Sequence, residues 1–416
     1  MELSIKGKTP LRGEVEISSS KNAILPILVA ALLADDTVTI NKVPEIRDVI
    51  IINELINSLG VEARSEDGSV VLKGEPNGLN PPYELVRQMR ASFLVMGPLL
   101  AKQGKVRITL PGGCAIGTRP VDLHLKGLKA MGAKIDIASG DVIATARKLI
   151  GNHVYLDFPS VGATENIMMA ACIADGTTYI ENAALEPEVV DLANFINHLG
   201  GNISGAGSNV IRIRGVRKLR GGDYTPIPDR IEAGTYMVAA SASAGKVLIK
   251  NVVPEHIKAV TAKLRESGAE AEEKGNQIEV SRSQEIKPLY IKTLPYPGFP
   301  TDMQAQYMAY LSCADGSSVI TESVFENRFM HIQELLRMGA RIRTEGRTAV
   351  IKGERELTGA RVKATDLRAG AALLIAGLNA RGTTVISDSE HIDRGYENIV
   401  EKLNSLGAQI IRHQEI

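Results

Sequence analysis

Six times along this chain a helical pattern closes on an apolar or small residue, then a glycine, then a short strand. The glycines are Gly60, Gly132, Gly200, Gly268, Gly339 and Gly407, separated by 72, 68, 68, 71 and 68 residues. Leu59-Gly60-Val61, Met131-Gly132-Ala133 and Leu406-Gly407-Ala408 show how closely the punctuation is kept. A fixed period of this length means that one supersecondary unit is copied along the chain. It also provides an internal baseline: where one copy departs from its siblings, the departure needs a reason.

Each copy reads in the same order. A strand ends in a Lys-Gly-like turn, as in Leu72-Lys73-Gly74 and Ile351-Lys352-Gly353. A second strand follows, then a helix rich in Ala, Leu and Met that is apolar nearly all round and is therefore expected to be buried. A turn such as Asp175-Gly176, Asp315-Gly316 or Arg381-Gly382 is expected to end that helix. Next come a strand and an amphipathic helix, whose apolar residues recur at helical spacing in Val49, Ile52, Leu55, Ile56 and Leu59. The opening Ile5-Lys6-Gly7 through Gly13 resembles the strand pair of a later copy, Ile351-Lys352-Gly353 through Gly359, and the last copy has no such pair after it. The N-terminal segment is therefore expected to complete the C-terminal domain. At 416 residues the chain exceeds what one core usually supports, so six copies divide naturally as three plus three.

Forty-eight basic residues balance 48 acidic ones, so no global field favours nucleic acid or an anionic membrane. No apolar run approaches the ~20 residues of a bilayer span. The first residues lack the basic-then-apolar layout of a signal peptide. Three cysteines argue against a disulfide framework. These features lead to the expectation of a cytoplasmic protein without membrane or nucleic-acid partners; a monomer is expected rather than a stable oligomer.

Aligning the apolar helices on their turns places Asn22, Arg90, Gly162, Ile231, Asp302 and Arg368 in one column, with Lys21 and Arg230 one place earlier. A helix N-terminus already carries positive partial charge and favours neutral or acidic residues. Cations there point to a bound anion such as phosphate or carboxylate. A second departure is one of length. Ile40 to Gly60 and Ile180 to Gly200 each span 20 residues and Ile386 to Gly407 spans 21, but Ile108 to Gly132 spans 24. The excess lies in Leu110 to Asp122, which holds three glycines, Cys114 and Arg119. A thiol in a flexible, cation-bearing loop is set up to react, whereas Cys172 and Cys313 lie in apolar helices and read as inert core. No Cys or His stands at ligand spacing to support a metal site, and His124 alone reads as structural.

These residues resemble the UDP-N-acetylglucosamine 1-carboxyvinyltransferase family of enolpyruvyl transferases over the whole chain. The matching segments include Ser20-Lys21-Asn22-Ala23, Arg90-Ala91-Ser92, the Pro111–Asp122 loop and Phe158 through Asn166. They continue through Asp229-Arg230-Ile231-Glu232, Phe299-Pro300-Thr301-Asp302, Phe325 through Phe329, Asp366-Leu367-Arg368-Ala369 and His391 through Glu397. The resemblance implies an inside-out α/β barrel, with two similar domains of three repeated units each, buried parallel helices and outer sheets. The domains would be residues 21–229, with a catalytic loop at 111–122, and residues 1–20 plus 230–416. It implies transfer of the enolpyruvyl group of phosphoenolpyruvate to the 3'-hydroxyl of the sugar nucleotide, releasing phosphate, without metal or organic cofactor.

By the same resemblance Lys21, Arg119 and Arg394 hold phosphoenolpyruvate, with Arg90 and Arg368 adding positive field. Asn22 binds the sugar or the intermediate, and Asp302 is the base nearest the sugar hydroxyl. Cys114 serves either proton delivery or product release. Ser160, Val161 and Gly162 meet the diphosphate. Arg119, Pro120, Val121, Asp122 and Leu123 surround the uracil, and Val324, Glu326, Asn327 and Arg328 complete the sugar site. Two rivals remain at this stage: the shikimate-pathway enolpyruvyl transferase, disfavoured by the Gly-Gly-Cys loop, and a non-catalytic anion- or nucleic-acid-binding repeat protein, disfavoured by zero net charge and the lack of Trp.

Overall fold

The computed structural model describes residues 1–110 and 121–413, and each of the six repeat glycines has φ between 90° and 98°. A side chain is strained there, so glycine is the residue that fits. In every copy the glycine N–H donates to the carbonyl three residues back at 2.9–3.0 Å, and the next N–H donates to the carbonyl five back at 2.9–3.4 Å. This is the Schellman closure, which satisfies the last carbonyls of a helix and turns the chain into a strand. The sequence period is therefore a period of helix stops.

Among the described residues there are six sheets, and five share one plan. A short strand lies parallel to a central strand, which pairs antiparallel with the inner member of an antiparallel strand pair. His153–Tyr155, for example, is parallel to Thr177–Glu181, which is antiparallel to Val210–Arg214. The sixth sheet, built on Lys105–Thr109, has three strands. The missing strand corrects the expectation that all copies read alike. Pro81 and Pro82 stand where it would run and lack the N–H groups a strand contributes; one bond of the pattern survives, from Arg107 N–H to the Leu79 carbonyl at 3.0 Å.

The chain forms two compact units: Met1–Ser18 with the described residues from Pro228 onward, and the described residues between Ser19 and Ile227. In the first, Glu2–Lys6 lies between Thr383–Ser387 and Gln409–His413, and Arg12–Glu16 runs parallel to Lys246–Lys250. In the second, Gly222–Tyr224 runs parallel to Val38–Ile40. In each unit, strands from a chain end thus complete sheets begun at the other end.

Apolar helices form both cores. In the unit containing the N-terminus, Arg230–Ala242, Gln304–Leu311 and Leu367–Asn379 pack on one another, and almost every residue in them is buried. In the other unit this role falls to Lys21–Ala30, Met96–Gln103 and Val161–Ala171. The amphipathic helices bury one face only; Arg47–Ser58 covers Val49, Ile52, Leu55 and Ile56 while Ile50 is exposed. Of the turns expected to stop the buried helices, Gly104 directly follows its helix in the left-handed conformation. Gly176, Gly316 and Gly382 instead precede their strands by one residue, after the helices have already ended at Ala171, Leu311 and Asn379.

Candidate active site

The aligned column lies at the helix starts. Asn22, Gly162, Ile231 and Arg368 are the second residues of their helices; Asp302 is second in the Thr301–Met303 turn that leads into its helix, and Arg90 opens the turn Arg90–Val95. Three of the six starts are capped by their own side chain. Ser160 Oγ accepts from Ala163 N–H at 3.3 Å. Asp229 accepts from Ile231 and Glu232 at 2.8 and 2.9 Å, and Asp366 accepts from Arg368 and Ala369 at 2.8 and 3.0 Å. The starts preceded by Ser20, Met89 and Pro300 have no such cap. The Ser20 hydroxyl is buried without a hydrogen-bond partner among the described residues.

Asp302 is therefore not a cap. Its carboxylate is gripped by two arginines, Arg328 Nη2 to Oδ1 at 2.7 Å and Arg368 Nη2 to Oδ2 at 2.8 Å. Both guanidinium side chains are almost wholly buried, while a quarter of the Asp302 side chain faces solvent. Burial opposes the carboxylate charge, but Arg368 and Arg328 outweigh it and hold the group well below the usual carboxylate range. Arg368 is fixed on its other side by donation to the Tyr396 hydroxyl at 3.0 Å, which lies 2.9 Å from Thr235 Oγ1. Arg328 also donates to Thr301 Oγ1 at 2.9 Å. The result is an ionised carboxylate at an uncapped helix start, partly open to solvent and backed by two fixed cations.

In the other unit, Lys21 at the first helical position pairs with the buried Asp48 at 2.9 Å. Asp48 comes from the first turn of Arg47–Ser58. Near Arg90, His124 is pushed down to about 3, first by burial and then by the arginine charge, so its ring is neutral. Asn166 donates its amide both to the Phe93 carbonyl at 3.2 Å and to His124 Nδ1 at 3.0 Å, which assigns the ring proton to Nε2. Ser160, Val161 and Gly162 form the capped start of Val161–Ala171, with N–H groups at its end as an anion requires. Asp122 opens Asp122–Ala130, with Val121 before it and Leu123 in its first turn.

Arg394 ends the turn Ser389–Arg394. Val324 donates its N–H to Glu322 at 2.8 Å, Glu326 pairs with Arg347 at 3.1 Å, and Asn327 is exposed. Cys114, Arg119 and Pro120 lie outside the described residues. Burial pushes the Cys172 thiol up to about 12 and also raises Cys313, which is half-buried rather than wholly enclosed. No group of three or more His, Cys, Asp or Glu that could hold a metal occurs among the described residues, and no described helix is long and apolar enough to cross a membrane.

Sequence reasoning missed Glu322, Tyr396 as a partner of Arg368, and the buried Glu232, which accepts from Ser18 N–H at 2.9 Å and from Lys402 Nζ at 2.8 Å. Comparison of the copies marks Glu322 once backbone angles are in hand. Two residues after the central-strand isoleucine, Lys42, Asn182, Asn251 and Asp388 all have φ between 52° and 58°. Leu110 and Glu322, the equivalents in the second and fifth copies, do not. These two copies leave their strands differently, and candidate residues follow in both.

Residues 5–403 match the family described as EPSP synthase (3-phosphoshikimate 1-carboxyvinyltransferase). The UDP-N-acetylglucosamine 1-carboxyvinyltransferase 1 of Caldanaerobacter subterraneus subsp. tengcongensis is 57% identical over 408 residues, covering 98% of each chain. The UDP-N-acetylglucosamine 1-carboxyvinyltransferase 2 of Carboxydothermus hydrogenoformans is 59% identical over 411 residues, again 98% of each. Among solved structures, the enolpyruvyl transferase NikO from Streptomyces tendae superposes with a TM-score of 0.88 at 25% identity, over 99% of this chain and 98% of that one.

Proposed function

The chain belongs to the EPSP synthase family, and from that premise we propose that it transfers the enolpyruvyl group of phosphoenolpyruvate to the 3'-hydroxyl of UDP-N-acetylglucosamine, releasing phosphate. The observation that carries this reading is the high identity to relatives of that name over nearly the whole length of both chains. The two units are read as the domains of an inside-out α/β barrel, residues 21–229 and residues 1–20 plus 230–416; apolar helices inside and sheets around them support this. The protein is read as a monomer that acts in the cytoplasm on two small molecules and needs no cofactor.

The chemistry proceeds by addition and elimination. The sugar oxygen bonds to the enol carbon, the methylene carbon gains a proton and the sugar hydroxyl loses one, giving a phosphorylated tetrahedral ketal. Cleavage of the bond to phosphate and loss of a methyl proton restore the double bond. Asp302 takes the hydroxyl proton. Its two arginines keep it ionised but weaken it as a base, so transfer becomes favourable only as the attacking oxygen bonds to carbon and its own acidity rises. Arg368 and Arg328 then face a neutral acid, so their hold on the carboxylate favours the ground state, and the growing acidity of the attacking oxygen is what drives the proton across.

Lys21, Arg119 and Arg394 hold the phosphate and carboxylate of phosphoenolpyruvate, with Arg90 and Arg368 adding field. Asn22 binds the sugar or the intermediate. Ser160, Val161 and Gly162 offer N–H groups to the diphosphate, Arg119–Leu123 frames the uracil, and Val324 and Glu326–Arg328 bound the sugar. Cys114 delivers the methylene proton or assists release. The test is phosphate release from phosphoenolpyruvate with each acceptor in turn.

A further inference from the structure

Glu322 is buried, and three of the four hydrogen bonds its carboxylate accepts come from the segments that carry Asp302 and Arg328. Oε2 accepts from Thr301 Oγ1 at 2.8 Å. Oε1 accepts from Thr293 Oγ1 at 2.8 Å and from the N–H groups of Val324 and Phe325 at 2.8 and 3.1 Å. Thr301 precedes Asp302 in the chain, and its hydroxyl oxygen accepts from Arg328 Nη1 at 2.9 Å. One carboxylate therefore pins the uncapped helix start and the loop that returns Arg328 to it. A buried carboxylate with four donors is fully used, and such a group rigidifies what it binds. Glu322 also stands where four sibling copies place a left-handed residue and the second copy, at Leu110, does not, so the fold itself does not call for it.

We propose that Glu322 is a positioning residue for the reaction: through Thr301 and the Val324–Phe325 amides it sets the geometry of the Asp302–Arg328 pair. The hydroxyl of Thr301 is the relay. Because Glu322 can only accept, the Thr301 proton points to it and leaves the oxygen lone pairs for Arg328. Glutamine at this position keeps the volume and an oxygen for Thr293 and the two amides, but offers N–H to Thr301 and disorders that relay. The proposal rests on the functional reading above for its kinetic consequence and on geometry alone for the loop.

The experiment has two arms. In the first, phosphate release is measured for Glu322→Gln, Thr301→Val, Thr301→Ser and the double variant Glu322→Gln/Thr301→Val, with thermal unfolding recorded for each. Displacement of a working group by a fraction of an ångström predicts that Glu322→Gln and Thr301→Val each lower kcat by about 10- to 100-fold, with KM changed far less. The double variant should lose no more than the worse single one, because both substitutions break one relay, and Thr301→Ser, which keeps the hydroxyl, should restore most of kcat. In the second arm, amide exchange at Val324 and Phe325 should quicken in Glu322→Ala relative to wild type. Unchanged kcat in Glu322→Gln, or losses that multiply in the double variant, would overturn the relay; unchanged exchange would overturn the hold on the loop. Failure of the functional reading has a different signature: wild type would release no phosphate while the exchange contrast persisted.

Discussion

Two helix starts in the same unit, at Asp229 and at Asp302, occupy equivalent places in successive copies and use their carboxylates in opposite ways. Asp229 turns inward on its own backbone and caps Ile231 and Glu232. Asp302 leaves its helix start uncapped and gives both oxygens to arginines brought from elsewhere in the chain. Asp229 is the residue before its helix, whereas Asp302 stands two places further on, in the column of Ile231, with Pro300 at the capping position. A cap uses an acid to close a helix; the second arrangement forgoes that closure to hold a charge at the surface of a buried cluster. Lys21 shows the complementary solution, a cation at a helix start balanced by the buried Asp48.

The largest expected break in this comparison is Asp302→Asn. It should lower turnover by roughly 100- to 10,000-fold, the usual worth of a general base, while the protein stays folded with a lower unfolding midpoint because two buried guanidiniums lose their counter-charge. A loss below tenfold would return Asp302 to a structural role.

The thiols repeat the contrast between working and enclosed groups. A phosphonate epoxide that mimics phosphoenolpyruvate should alkylate Cys114 and spare the other two. At about 12, Cys172 holds on the order of 10³-fold less thiolate than an ordinary thiol. Peptide mass mapping reads the outcome, and label on Cys172 or Cys313 in folded protein would contradict it.

A titration sharpens the picture near Ser18. Glu232 accepts from Ser18 N–H at 2.9 Å and from Lys402 at 2.8 Å, and burial, against the pull of Lys402, raises its carboxyl from 4.5 to about 7. The folded state therefore binds this proton more tightly than the unfolded chain. Its stabilising contribution is full below about 4.5 and is lost as pH rises to about 7. Glu232→Gln should flatten that decline, seen as a smaller difference between urea midpoints at pH 5 and pH 7.5. Asp191, raised to about 6 by burial, keeps part of the slope in the variant.

The smallest effect belongs to the cap. Asp229→Ala should cost about 1 kcal/mol of stability in denaturant unfolding, far less than the kinetic loss at Asp302. If it matched that loss in turnover, the division between cap and working carboxylate would fail.

Much of this was legible in the sequence for a physical reason. Helix stops and helix starts are local: six glycines mark the first, and the charged column marks the second. The cluster around Asp302 was only half legible. Its members are separated by 26 and 66 residues, and no spacing rule connects an acid to two arginines that distant. Proline chemistry hid the lost strand at Pro81-Pro82, which local patterning reads as one more copy. Glu322 was visible only as a residue where the sibling copies turn left-handed, a difference that becomes meaningful once backbone angles are known.

The most direct test is phosphate release from phosphoenolpyruvate by the purified full chain, with UDP-N-acetylglucosamine or shikimate 3-phosphate as acceptor. The account predicts release that depends on UDP-N-acetylglucosamine and is absent with shikimate 3-phosphate. Equal or greater release with shikimate 3-phosphate would contradict it.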